Sequence, residues 1–236
     1  MNEAPLPVTP VAVTRVEGPF VTISYDTARW PFAEVMCTTL GIASFADLPV
    51  GIPGQGQEAA LINRRLRQEL AELPVDAPIR ALYQDFARVA MGELFGPRIS
   101  FTKNPVLRIQ IGHSPSISAP HRDVDYTQRW DYVNVWLPAV DVSAERGLQI
   151  ETSYGSGVMT SHEITYGQAL IFDGGALEHF SPENTSALPR VSMDFRFAAE
   201  QPSPLIERIL GAGPVGRPIS KSQALSSPLV ASARTS

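Results

Sequence analysis

From residue 100 to residue 197, short apolar runs recur about every ten residues, with Gly and Pro between them. We expect strands near 106–112, 118–124, 132–138, 147–152, 157–162, 168–173, 177–181 and 190–197. Within the last of these, Arg190, Ser192, Asp194 and Arg196 share one strand face. Further upstream, PVAVTRVEGPFVTISYD over 10–26 reads as two strands around Glu17-Gly18-Pro19, rich in Val, Thr, Phe and Ile. Two segments follow the helical period instead. In 57–73, Ile62, Leu66, Leu70 and Leu73 form a stripe with Arg64, Arg65 and Arg67 turned outward, and Pro74 ends the helix. The second opens at Asp76-Ala77-Pro78, buries Ile79, Leu82, Phe86, Val89 and Ala90, and stops at Gly96-Pro97. Residues 27–56 carry no clear period, and 51–56 read as a loop.

Eight strands in succession, without alternating helices, predict a mainly β jelly-roll sandwich braced by the helices of 57–95, not a doubly wound parallel sheet. The expected organisation is one domain over 1–200, its barrel at 100–197, and a tail over 201–236. Leu205, Ile206, Ile209 and Leu210 could make one helical turn against the core, and the last twenty residues read as a flexible tail. The 21 prolines and 17 glycines suit many short strands joined by turns.

Charge and cysteine usage narrow the partners. A net charge of -5 without a basic run argues against nucleic acid and anionic membranes. No stretch has the length of a membrane span, and MNEAPLPVTP lacks a signal peptide's basic start and apolar run. The single cysteine, Cys37, has no internal disulfide partner, which fits a reducing cytoplasm. A small-molecule substrate remains.

The candidate chemistry centres on His121-Arg122-Asp123. Two side chains two apart on an extended segment point the same way. His179 lies 56 residues after Asp123 on a later expected strand, and Arg190-Val191-Ser192 begins eleven residues after His179. Two imidazoles and a carboxylate on one face of an iron leave three cis positions open, as in iron(II) oxygenases. Zinc would also bind such a set, so a zinc hydrolase or cupin-like isomerase competes, as does a small-molecule binding protein on the same fold. Arg-x-Ser, which a simple hydrolase does not need, argues for the oxygenase. His113 and His162 lack such company and read as structural or substrate-contact residues.

A guanidinium grips a carboxylate through two parallel hydrogen bonds, and a neighbouring hydroxyl adds a third. Arg190 and Ser192 are therefore the candidate cosubstrate ligands, with Arg196 as structural partner of an acid such as Asp194. Asn134, a polar residue in the apolar run 132–138, reads either as a cavity residue touching the cosubstrate or as a satisfied core amide. Ser181 is a similar candidate.

With these residues in place, the chain resembles the Fe(II)/2-oxoglutarate-dependent oxygenases. Within them it is similar to the phytanoyl-CoA hydroxylase-like group, in particular its antibiotic-biosynthesis branch on the streptomycin pathway. The resemblance rests on Pro105–Ile109, His121–Tyr126, Asn134–Pro138, Tyr166–Gly174 and Arg190–Arg196, and covers most of 83–197. It implies a double-stranded β-helix with Fe(II) at His121, Asp123 and His179 and 2-oxoglutarate at Arg190. It also implies O2-dependent hydroxylation with release of succinate and CO2, while desaturation, cyclisation and epimerisation remain open. Asp123 fills the position that halogenases of this class leave free for chloride. Glu151, in Gln149-Ile150-Glu151-Thr152, departs from the Pro-Gly-Ser-His turn of many relatives and is expected to face the substrate. Arg122 and Tyr126, with Gln128, Arg129 and Trp130, crowd the following loop and suggest a polar, anionic small molecule such as an amino acid or sugar derivative.

Overall fold

The computed structural model describes residues 10–211 and 229–230. The readings made above for the first nine residues and for most of the tail lie outside the described residues. The chain opens with the hairpin β1 (Val11–Glu17) and β2 (Phe20–Tyr25). Gly18 turns it at φ +56, a conformation open to glycine without steric cost. Three helices follow: α1 (Phe32–Leu40), α2 (Gly56–Ala71) and α3 (Pro78–Phe95).

The remaining strands are β3 (Ile99–Thr102), β4 (Val106–Gln110), β5 (Ser118–His121), β6 (Val133–Pro138), β7 (Leu148–Glu151), β8 (Met159–His162), β9 (Gln168–Phe172), β10 (His179–Ser181) and β11 (Arg190–Ala199). All eight strands expected between 106 and 197 are present, as β4 to β11. The one-turn helix α4 (Val124–Thr127) interrupts them, and α5 (Pro204–Gly211) follows. The helical turn expected at 205–210 is thus two turns long, with Ile206 and Ile209 buried against the core.

Two antiparallel sheets result. The larger runs β1-β2-β9-β6-β11-β3, extended by the pair Leu229–Val230, with β4 also on β11; the smaller runs β5-β10-β7-β8. Strand parity sorts the side chains of the larger sheet. Odd positions, such as Val133, Val135, Ile171, Val191, Met193, Phe195 and Phe197, join the core shared with the helices. Phe195 meets Tyr83 of α3 with ring centroids 5.1 Å apart, and Phe197 meets Phe95 at 4.9 Å. Phe86 anchors this layer among Tyr25, Trp30, Phe32 and Phe195. Trp136, Leu170 and Phe172, at even positions, pack instead with Leu148 and Ile150 of the smaller sheet.

Even positions in the middle of β4, β6 and β11 carry the polar side chains Arg108, Gln110, Asn134, Arg190, Ser192, Asp194 and Arg196. The space between the sheets is therefore apolar at one end and charged at the other. On α2, Asn63 ties the helix to the end of β4. Its Oδ1 accepts from Ile111 N at 2.8 Å and its Nδ2 donates to Ser114 Oγ at 3.0 Å. On α3 the buried face is rotated from the expected one. Tyr83, Ala87 and Met91 are fully buried, while Leu82 and Val89 are half-buried.

Candidate metal centre

The site begins with strand pairing. His121 at the end of β5 and His179 at the start of β10 are direct partners across an antiparallel ladder. Residues so opposed project their side chains to one face, and the two imidazole centroids lie 4.4 Å apart. Each ring is oriented the same way. His121 Nδ1 bonds Ala119 O at 2.8 Å, and His179 Nδ1 bonds Leu177 O at 3.0 Å. A carbonyl only accepts, so the proton sits on Nδ1 and the Nε2 lone pair is left free.

Asp123, the third candidate ligand, is placed by a route the sequence did not suggest. The expected strand 118–124 stops at His121, and Asp123 has helical backbone angles, φ -63 and ψ -26, heading α4. Its N–H donates to Gly174 O at 2.8 Å, while its carbonyl accepts from Tyr126 N and Thr127 N. The turn still brings Oδ1 to 3.7 Å from His121 Nε2 and 4.0 Å from His179 Nε2. Among the described residues this is the one His, Cys, Asp or Glu group whose ligand atoms all lie within 4.8 Å of one another. Ligands about 2.1 Å from one ion and at right angles sit about 3 Å apart, so a small inward movement closes the carboxylate spacings on a single ion.

Electrostatics keep Asp123 and His179 in ligand form. Burial opposes a charge on Asp123, yet hydrogen bonding and charge from Arg196, with help from His179 and Asn134, hold its carboxyl below the usual range. Burial pushes the His179 imidazolium down, only partly offset by Asp123, so the ring is neutral near pH 7. Neutral imidazoles and an ionised carboxylate are the forms that bind a divalent ion.

The polar face of β11 corrects one assignment. Arg196 is not the partner of Asp194: Nε and Nη2 grip Asp123 at 2.5 and 2.6 Å. Asp194 is taken instead by Arg108 of β4, at 2.5 Å. Arg108, Asn134, His121, His179, Asp194 and Arg196 border one narrow cavity, and Ser181 lines it too. Arg190 and Ser192 are buried on β11 and do not border it. Arg190 Nη1 donates to Arg146 O at 2.9 Å, and Nη2 is buried with no partner among the described residues. Burial, together with Arg108 and Arg146, pushes the Arg190 guanidinium down to about 9. Among the described residues no acidic side chain pairs with this buried cation.

The substrate candidates are placed differently from expectation. Glu151 does not face the cavity. It is buried, and its carboxylate accepts from Gly157 N at 2.8 Å and Glu178 N at 3.4 Å, tying the loop after β7 to the segment before His179. Arg122 reaches the same acids, at 3.6 Å from Glu151 and 3.8 Å from Glu178, and donates to Ala176 O. Both stabilise the backbone that carries the ligands. Tyr126 is 76% exposed with its ring edge-on to His121 at 5.8 Å, so it stands at the mouth of the site. Sequence reasoning missed the roles of Arg108 and Gly174. The signal for Arg108 was a charged residue between the apolar Leu107 and Ile109 of a strand.

No protein-family model matches the chain. The chain is similar to the streptomycin biosynthesis protein StrG of Streptomyces griseus. The two are 22% identical over 181 residues, covering 75% of this chain and 83% of the relative. The resemblance drawn from the sequence blocks therefore meets a relative on the same antibiotic pathway. Among solved structures, AviO1 from Streptomyces viridochromogenes Tue57 aligns over 79% of this chain and 92% of its own, at 14% identity and a TM-score of 0.47. The non-heme alpha ketoglutarate dependent epimerase SnoN from nogalamycin biosynthesis aligns over 80% and 81%, at 17% identity and a TM-score of 0.43.

Proposed function

We propose that the chain is an Fe(II)/2-oxoglutarate-dependent oxygenase that hydroxylates a small polar metabolite in natural-product biosynthesis. The observation that carries this reading is the convergence of His121, Asp123 and His179, with both Nε2 lone pairs and Asp123 Oδ1 turned to one point. Two neutral nitrogens and one carboxylate oxygen suit Fe(II) and leave positions for a chelating cosubstrate and O2. Bound Fe(II), with 2-oxoglutarate and O2, would supply an oxidant able to cleave a C–H bond as the cosubstrate leaves as succinate and CO2.

The chain's own residues do the positioning. Arg190 fits the distal carboxylate of 2-oxoglutarate, because its unpartnered Nη2 and uncompensated charge suit a buried anion. Ser192 follows on the same face, and Ser181 borders the cavity nearer the triad. Apolar Trp136, Leu148 and Phe172 in the cavity wall keep bulk water from the reacting centre. With Asp123 in the ligand set, no slot is left for halide, which favours transfer of oxygen over halogen. The two antiparallel sheets fit a double-stranded β-helix with its metal on the smaller sheet, braced by helices on the outer face of the larger. No described helix is long and apolar enough to cross a membrane. Location in the cytoplasm belongs to the same reading and rests on the free, buried Cys37.

The test is anaerobic loading with Fe(II) and 2-oxoglutarate, then O2 and pools of amino acids, sugars and their derivatives. Succinate release coupled to a product heavier by one oxygen atom is the expected result. Metal binding without succinate would favour a non-redox enzyme. Succinate with a desaturated, cyclised or epimerised product would keep the centre and change the reaction.

A further inference from the structure

We propose that Arg196 and Asn134 are positioning residues that commit Asp123 to holding the metal through Oδ1 alone; the inference rests on the metal reading above. Asp123 Oδ2 accepts from Asn134 Nδ2 at 2.6 Å and from Arg196 Nε at 2.5 Å. A carboxylate oxygen has two in-plane lone pairs, so Oδ2 is saturated. Oδ1 accepts one bond, from Arg196 Nη2 at 2.6 Å, and is the oxygen that faces both Nε2 atoms. One lone pair on Oδ1 remains for an ion.

The clamp is built into the sheet. Asn134 and Arg196 are direct partners between β6 and β11, so the two donors leave one face side by side. Gly174 completes it. A Cβ there would stand 2.4 Å from Asn134 Cγ and Nδ2, while the Gly174 carbonyl accepts the Asp123 N–H. One glycine thus makes room for the amide and anchors the backbone of the carboxylate it holds. A carboxylate free to chelate through both oxygens would take two positions on the ion. Holding it to one leaves three, the number a two-point cosubstrate and O2 together require.

The test titrates Co(II) into metal-free protein and follows affinity and the visible ligand-field spectrum, with circular dichroism and thermal unfolding as controls for folding. Arg196→Lys keeps the charge and removes the two-pronged grip. Asn134→Ala removes one neutral donor, and Gly174→Ala removes no donor but displaces the amide. We expect each to weaken Co(II) binding about 10- to 100-fold and to shift the spectrum toward a site with more oxygen ligation. If Arg196→Lys does not fold, Asn134→Ala, which disturbs no charge, decides. Folded variants that bind Co(II) with unaltered affinity and spectrum would overturn the clamp while leaving the metal centre standing. No Co(II) binding by the unaltered protein would remove the metal centre, and the clamp with it.

Discussion

At the scale of the residue, the convergence of His121, Asp123 and His179 was readable because His-x-Asp and a distant His announce themselves by type. What each does depended on contacts no spacing could supply. Arg196 and Arg190 share a strand face, but only the register of β11 against β6 sends Arg196 to Asp123. Their roles therefore separate in experiment. Arg190→Ala should raise the KM for 2-oxoglutarate by a factor corresponding to about 2–5 kcal/mol, the loss for a buried charged contact. Arg196→Ala should depress metal binding first. An unchanged KM in Arg190→Ala would move the cosubstrate to another cation, with Arg108 the next to test. His162 gives a pH prediction independent of the metal. Its ring packs on Phe20 at 4.6 Å with Nε2 unpartnered, and burial, aided by Arg15 and opposed by Glu17, pushes its pKa from 6.5 to about 4. The unfolded chain then binds the proton more readily, so stability should fall as pH drops from about 6.5 to about 4. His162→Gln should flatten that part of the profile in denaturant titrations, and an unaltered slope would place the acid sensitivity elsewhere.

At the scale of the element, the strands of 106–197 were readable because half-buried strands alternate and turn residues separate them. α1 was not, for physical reasons. Its sequence carries Val and two Thr, and its N-cap Pro31 makes no side-chain bond. Tertiary packing of Phe32, Met36 and Cys37 holds it instead. The end of β5 was missed because Asp123 spends its backbone groups on Gly174 and on α4 rather than on a ladder. The joint between helices and larger sheet is concentrated at Phe86, fully buried against Tyr25, Trp30, Phe32 and Phe195. Phe86→Ala should cost about 3–5 kcal/mol in equilibrium unfolding. A loss under about 1 kcal/mol would mean that this layer closes around the gap.

At the scale of the whole molecule, the proposed metal centre gathers two distant stretches of chain: the turn from the end of β5 into α4, which carries His121 and Asp123, and the start of β10, which carries His179. The unfolded chain has no such convergence, so an ion should bind the folded state far better and stabilise it by mass action. At about 100 times the dissociation constant the gain is about 2.7 kcal/mol. For a chain of 236 residues that corresponds to a rise in Tm of about 5–10 °C. Redox-inactive Ni(II) or Co(II) serves to measure it, with a chelator to reverse it. His179→Ala should unfold near the metal-free Tm of the unaltered protein and gain little on adding metal, because the stabilising force is the shared ion, not the imidazole. The same variant should lose turnover. A metal-dependent rise that survives in His179→Ala would locate the ion elsewhere in the fold and separate the stabilising site from the proposed catalytic one.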